Sequence, residues 1–181
     1  MQVEAFKPEQ PLQLGRIVAD LQADGVINGE AAQQLLASTR SHEQAAQHPL
    51  NYIASQQLMA SNHKLLTIER LLDWLGGNCQ QPHYNIDPLK INVPAITEVM
   101  SYQFAQRHGI LAVAVNREEV VIASAQPYIR AWKADLEHVL RRPIKRVLVD
   151  PEDLKRYTVE FYSLARSVRG ASTGEPGGNV G

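Results

Sequence analysis

The side chains able to do chemistry are few and scattered. The six histidines, His42, His48, His63, His83, His108 and His138, never form an H-x-x-x-H or H-E-x-x-H pair. That spacing is what sets two imidazoles on one helical face for a metal ion, so no metal site is expected. Cys79 precedes His83 by four residues, a spacing that suits a nucleophile and its base, but no third group to orient the pair is evident. An inert loop thiol is the simpler reading. Ser124, Ser163 and Ser167 lack a G-x-S-x-G context, and the eleven glycines contain no G-x-x-x-x-G-K-[ST] phosphate loop. Serine hydrolysis and nucleotide hydrolysis by these residues are therefore both disfavoured. The one dense charge cluster is Arg141, Arg142, Lys145 and Arg146. Solvated cations near a helix C-terminus explain it well, and its functional reading is a docking patch for an acidic partner surface. No aromatic residue is interleaved among the four, which argues against nucleic acid.

Composition sets the bounds on these candidates. The chain has 181 residues, 44% hydrophobic and 20% charged, with a formal charge of −1. That length allows one domain or two small ones with a real core, and the balanced charge supplies no global field toward nucleic acid or an anionic bilayer. A single cysteine excludes an internal disulfide, and the N-terminus lacks the basic flank and apolar run of a signal peptide. The longest apolar stretch, Gly109 to Val115, is far short of the ~20 residues that cross a bilayer. A cytoplasmic location without membrane insertion is expected.

Residues 1–90 carry six basic and nine acidic side chains against twelve and ten in residues 91–181. The first part is rich in Ala, Gln and Leu and reads as helical, with a boundary near Pro82 to Pro94. Leu14, Ile17, Val18 and Leu21 form a helical stripe, and Gly25 stands where a left-handed cap belongs. Asn28 caps a second helix burying Ala31, Ala32, Leu35 and Leu36, followed by a polar loop or frayed helix end through "TRSHEQAAQH". Leu50, Ile53, Ala54 and Leu58 suggest a third helix. Thr67 caps a fourth, with Ile68, Leu71, Leu72 and Leu75 inward and Gly76 and Gly77 terminating it.

The second part alternates helices and strands. Ile96, Val99, Met100 and Phe104 line one helix from Pro94 to Gly109, and the apolar run Ile110 to Val115 is a buried strand. Polar Asn116 to Glu119 turn the chain into a hairpin with Val120 to Ala123. Pro127 opens a helix with the stripe Trp132, Leu136, Val139 and Leu140, and Ile144 to Val149 is a third strand. Asp150 before Pro151, with Glu152 and Asp153 behind it, starts a last helix burying Leu154, Tyr157, Phe161 and Leu164. The fold class is thus α+β: a helical subdomain over residues 1–83 and a small α-β-β-α-β-α subdomain over 84–169. Five Gly and one Pro among residues 170–181 have the composition of a flexible linker.

The order of these elements carries a resemblance. Ile86-Asp87-Pro88-Leu89-Lys90-Ile91 leads into a helix, Ile110-Leu111-Ala112-Val113 follows as a strand, Val121 to Pro127 closes a second strand, and Leu154 to Tyr162 ends a closing helix. Taken together, residues 84–171 resemble the N-terminal domain of type II secretion and type IV pilus assembly ATPases. The resemblance implies a non-catalytic adaptor that docks the motor to the cytoplasmic part of an inner-membrane platform protein. It also implies a C-terminal ATPase core, hexameric in the family, which would hold ATP and Mg. No cofactor is implied within these residues, and the location would be cytoplasmic, peripheral to the inner membrane through the protein partner.

Some relatives bind cyclic di-GMP through paired R-L-G-x-x-L motifs followed by Gly. Here Gln13-Leu14-Gly15-Arg16 keeps Leu-Gly, has Gln in the Arg position and Val18 for the following Leu, and Gly25 lies too far along. The second copy is absent, leaving Gly15 and Arg16 as candidate contacts. A cyclic di-GMP-sensing domain is therefore the alternative function.

Overall fold

The computed structural model describes residues 9–180, with side chains through Arg169. Among the described residues the fold is α+β, with helices leading into a three-stranded mixed sheet and its flanking helices. The chain divides into two compact units, one of Met1–His83 with Gln126–Arg130 and one of Tyr84–Ala125 with Ala131–Gly181.

The helical unit contains α1 (Leu14–Ala23), α2 (Gly29–Ala37), α3 (His42–Ala46), α4 (Pro49–Ser55) and α5 (Ile68–Cys79). The α1 stripe is buried as its spacing predicts, and Gly25 turns the chain at φ 75°. Asn28 and Thr67 accept backbone N–H bonds from Ala31 and Arg70 as N-caps. Four expectations are corrected here. The polar stretch after α2 contains α3, stabilised by a reciprocal Ser41–Gln44 capping box. Helix α4 stops at Ser55, and Leu58 instead accepts the Leu66 N–H across a turn, with Met59 and Leu65 bridged inside it. Leu36 is 56% exposed, because Ala32 and Leu35 already cover the α2 contact face. Gly76 and Gly77 lie inside α5, which ends instead at left-handed Gln80 (φ 58°). A Cβ on Gly76 would sit 2.6 Å from the Gln81 carbonyl oxygen, so this glycine serves close backbone approach rather than termination.

The α/β unit contains α6 (Val93–Thr97), α7 (Tyr102–His108), β1 (Ile110–Val115), β2 (Val120–Ser124), α8 (Ala131–Leu140), β3 (Ile144–Leu148) and α9 (Pro151–Val180). The sheet order is β1-β2-β3, with β1 antiparallel to β2 and β2 parallel to β3. The β1 register shifts between Ala112 and Ala114, and α8 supplies the crossover that a parallel pair requires. Helices α6, α7 and α9 pack against β1, which explains its unbroken apolar run. Tyr162 of α9 donates its hydroxyl to the Met100 carbonyl at 2.8 Å, and burial pushes this phenol up to about 12.

Three expectations change in this unit. The helix from Pro94 to Gly109 is two, because Ser101 accepts the Phe104 N–H and restarts the chain as α7. Pro127 does not open α8; residues 126–130 precede it and belong to the helical unit. Val139 and Leu164 are exposed, since Trp132 with Leu136, and Leu154, Thr158, Phe161 and Ala165, form the buried faces of their helices. The linker expected over 170–181 falls where the side chains, and at Gly181 the backbone too, lie outside the described residues. Among the described residues no helix is long and apolar enough to cross a membrane.

Candidate functional site

The helical unit has an open cleft at the start of α1. Gln13 is the N-cap residue of that helix and makes no side-chain capping bond. The first turn therefore presents backbone N–H groups that its own cap does not fill, beside Gly15, whose missing Cβ faces open space. Arg16 and Asp20, one turn apart, form a 3.7 Å ion pair with the Arg16 side chain 72% exposed. An exposed pair of this kind contributes little to stability and is readily exchanged for a ligand's groups.

The cleft is lined by Gln13, Arg16 and Asp20 from α1, Trp74 and Asn78 from α5, and Tyr128 from the connection after β2. Its enclosed volume is about 70 Å³, or about 620 Å³ when the solvent at its mouth is counted. A ligand of more than a few heavy atoms would thus lie along the cleft rather than be enclosed by it. Trp74 donates its indole N–H to Asp24 at 2.8 Å and Asn78 donates its amide to the same carboxylate at 3.1 Å. The Asn78 bond first, then the Trp74 bond, holds the Asp24 carboxyl below the usual carboxylate range.

Three bonds fix the segment that bears Tyr128. The Leu12 N–H donates to the Gln126 side chain at 2.7 Å, and the Arg130 N–H to the Glu9 carboxylate at 2.9 Å. Buried Gln81 donates to the Pro127 carbonyl at 3.3 Å.

The cation cluster is not gathered into one patch. Arg141 is exposed in a left-handed conformation just after α8 (φ 56°), where its N–H bonds the Glu137 carbonyl. Arg142 is half-buried and Lys145 exposed. Neighbouring residues on a strand point to opposite faces, so Arg146 faces away from Lys145. Its guanidinium lies 5.0 Å from the centre of the Trp132 ring and donates to the Ser124 hydroxyl at 3.3 Å. Arg146 is a packed residue of the α/β unit.

The Cys79 and His83 candidates also change. Cys79 is buried as the last residue of α5 rather than held in a loop. His83 is oriented by Asp73 at 2.9 Å, a partner ten residues back that spacing did not suggest. Among the described residues no three His, Cys, Asp or Glu side chains gather as metal ligands would.

Of the sequence-derived candidates, Arg16 stands on the cleft wall, whereas Gly15 is exposed in the first turn of α1 and is not among the lining residues. The residues missed were Asp20, Trp74, Asn78 and Tyr128. Trp74 left one trace: a large aromatic residue off the apolar stripe of α5. Tyr128 left none, because the cleft residues it joins lie fifty or more positions back in the chain.

Residues 79–168 match the model of the MshEN domain. The type IV pilus assembly ATPase TfpB of Acinetobacter baylyi is 40% identical over 148 residues, which is 80% of this chain and 25% of that protein. The chain thus spans about a quarter of the length of this curated relative. A solved structure of MshE with cyclic di-GMP shares the fold at a TM-score of 0.51 and 13% identity, covering 83% of this chain and 99% of that one.

Proposed function

The chain belongs to the MshEN family, the N-terminal domains of type IV pilus and MSHA assembly ATPases, and from that premise we propose that its helical unit is a cyclic di-GMP-responsive regulatory module of such a motor. The observation that carries this reading is the cleft at the start of α1, where Arg16 stands beside Trp74, Asn78 and Tyr128. Cyclic di-GMP offers two phosphates and two guanines. A helix N-terminus and a guanidinium suit the first, and aromatic faces with amide groups suit the second. The solved MshE structure with that dinucleotide lends support by analogy of fold. ATP turnover, with its Mg, is assigned to a C-terminal core outside these residues, hexameric by analogy with the family.

Equilibrium binding of labelled cyclic di-GMP to the 181-residue chain tests the proposal. Arg16→Ala removes a charge-assisted contact and is expected to weaken binding by roughly tenfold or more. Absence of saturable binding by the unsubstituted chain refutes the reading.

A second reading is docking to the cytoplasmic domain of an inner-membrane platform protein, which would hold the motor in the cytoplasm at that membrane. It is supported by exposed Arg141 and Lys145 with half-buried Arg142. Arg146 has a packing role that removes it from this surface. Charge reversal at Arg141 and Lys145 should weaken capture of that domain while leaving cyclic di-GMP binding intact. Undiminished capture rules the patch out.

A further inference from the structure

We infer that Trp74 and Tyr128 form an aromatic clamp that stacks a purine base in the cleft of the helical unit, with Arg16 as the cation beside it. The clamp deepens the nucleotide reading and rests on it. Three features of these two residues point to stacking rather than to core packing.

Trp74 is half-buried and lies off the α5 face that buries Leu71, Leu72 and Leu75. Its indole N–H is tied to Asp24 at 2.8 Å, and Asp24 is held in turn by Asn78 at 3.1 Å. A ring tethered by its edge while lining an open cleft is a pre-organised surface, and little rotamer freedom remains to be lost on binding.

Tyr128 lines the same cleft and is also half-buried. Its segment is held to Leu12, Glu9 and Gln81 by the three bonds at Gln126, Arg130 and Pro127. Such anchoring fixes the backbone from which the phenol ring projects. Every base has a π-face, so a tethered indole and a phenol on an anchored segment supply affinity without reading the base edge. Gln13 and Asn78, which also line the cleft, carry amide groups for that edge, the Asn78 amide sharing its donors with Asp24.

The clamp also makes the connection between β2 and α8 part of the ligand site. Gln126–Arg130 belongs to the helical unit although both its flanks belong to the α/β unit. A base held against Tyr128 is therefore held against the covalent link between β2 and α8.

Equilibrium titration of the 181-residue chain with cyclic di-GMP, read by ligand anisotropy and by tryptophan emission, tests the clamp. Tyr128→Leu and Trp74→Leu are each expected to weaken binding by roughly 5- to 150-fold, whereas Tyr128→Phe and Trp74→Phe keep a ring and stay within about threefold. Stacking on the indole quenches its emission in the unsubstituted chain. That quench disappears in Trp74→Phe while Trp132 still emits. Thermal melts of all four variants check that the unit is folded, and Tyr128→Leu carries the test if Trp74→Leu melts early. Saturable binding that Tyr128→Leu leaves unchanged overturns the clamp and leaves the dinucleotide reading standing. Failure of the unsubstituted chain to bind cyclic di-GMP, cyclic di-AMP and GTP overturns both.

Discussion

Two adjacent glycines of α5 should respond in opposite directions to the same substitution. A Cβ at Gly77 meets nothing within 4 Å, so Gly77→Ala brings only the better helix propensity of alanine, a gain of about 0.5–1 kcal/mol. A Cβ at Gly76 sits 2.6 Å from the Gln81 carbonyl oxygen, which belongs to the backbone and must retreat by about 0.8 Å to reach ordinary contact. The Gln81 N–H is bonded to the Gly76 carbonyl at 3.1 Å, and its buried side chain holds the Pro127 carbonyl. Displacing Gln81 therefore strains the helix end and loosens the segment that bears Tyr128. Overpacking of this kind costs about 1–3 kcal/mol, which exceeds the propensity gain. The propensity gain is common to both alanines, so the two variants should differ by the overpacking cost of about 1–3 kcal/mol, or on the order of 2–12 °C in Tm for a chain of this size. Differential scanning calorimetry of the two variants beside the unsubstituted chain measures the gap, with urea midpoints as a check. If Gly76→Ala melts with or above Gly77→Ala, the close approach that explains this glycine is wrong.

Arg146→Ala should cost about 1–2 kcal/mol by removing the contact with Trp132 and the bond to Ser124, while Lys145→Ala stays within about 0.5 kcal/mol; urea denaturation of both separates the packed cation from the solvated one. Ser101→Ala should lose about 1 kcal/mol in the same assay by uncapping α7, and no loss would mean the break between α6 and α7 has another cause. The Asp24 carboxyl is held below its ordinary value of 3.8 in the folded chain, so its bonds to Asn78 and Trp74 stabilise the fold above that pH and are lost as pH falls through the lower folded value. Asp24→Asn should accordingly be less stable than the parent at pH 7 and converge with it in acid once the carboxyl is protonated in the folded chain, whereas a difference that stays constant as the pH falls would contradict the linkage.

Local chemistry made much of the fold legible. Asn28, Thr67 and the Asp150-Pro151 pair mark helix starts because a side-chain acceptor beside uncapped N–H groups acts within one turn of chain. The run Ile110 to Val115 reads as a strand because burial on both faces leaves no polar alternation. Misreadings arose where distant backbone decides. Gly76 and Gly77 resemble a helix stop, yet Gly76 is needed for the approach of Gln81 across the helix end. The apolar spacing through Val99 and Met100 masks the Ser101 cap, since periodicity runs on across a break that one hydroxyl creates.

The cleft shows the same division more sharply. Arg16 was visible because it occupies a short motif, whereas Trp74 and Tyr128 reach the cleft through tertiary packing. The bond from the Leu12 N–H to Gln126 spans 114 positions, and no local pattern encodes a contact of that range. The basic cluster is divided in the opposite way. Adjacency in sequence suggested one patch, but strand alternation sends Lys145 and Arg146 to opposite faces.

Hydrogen exchange of the 181-residue chain with and without saturating cyclic di-GMP tests the central claim most directly, because it reports both binding and its location. The account predicts slowed exchange in the first turn of α1, around Trp74 to Asn78 of α5, and across residues 126–130, with the β1–β3 amides little changed. Unchanged exchange throughout, or slowing confined to the sheet and α9, would contradict it.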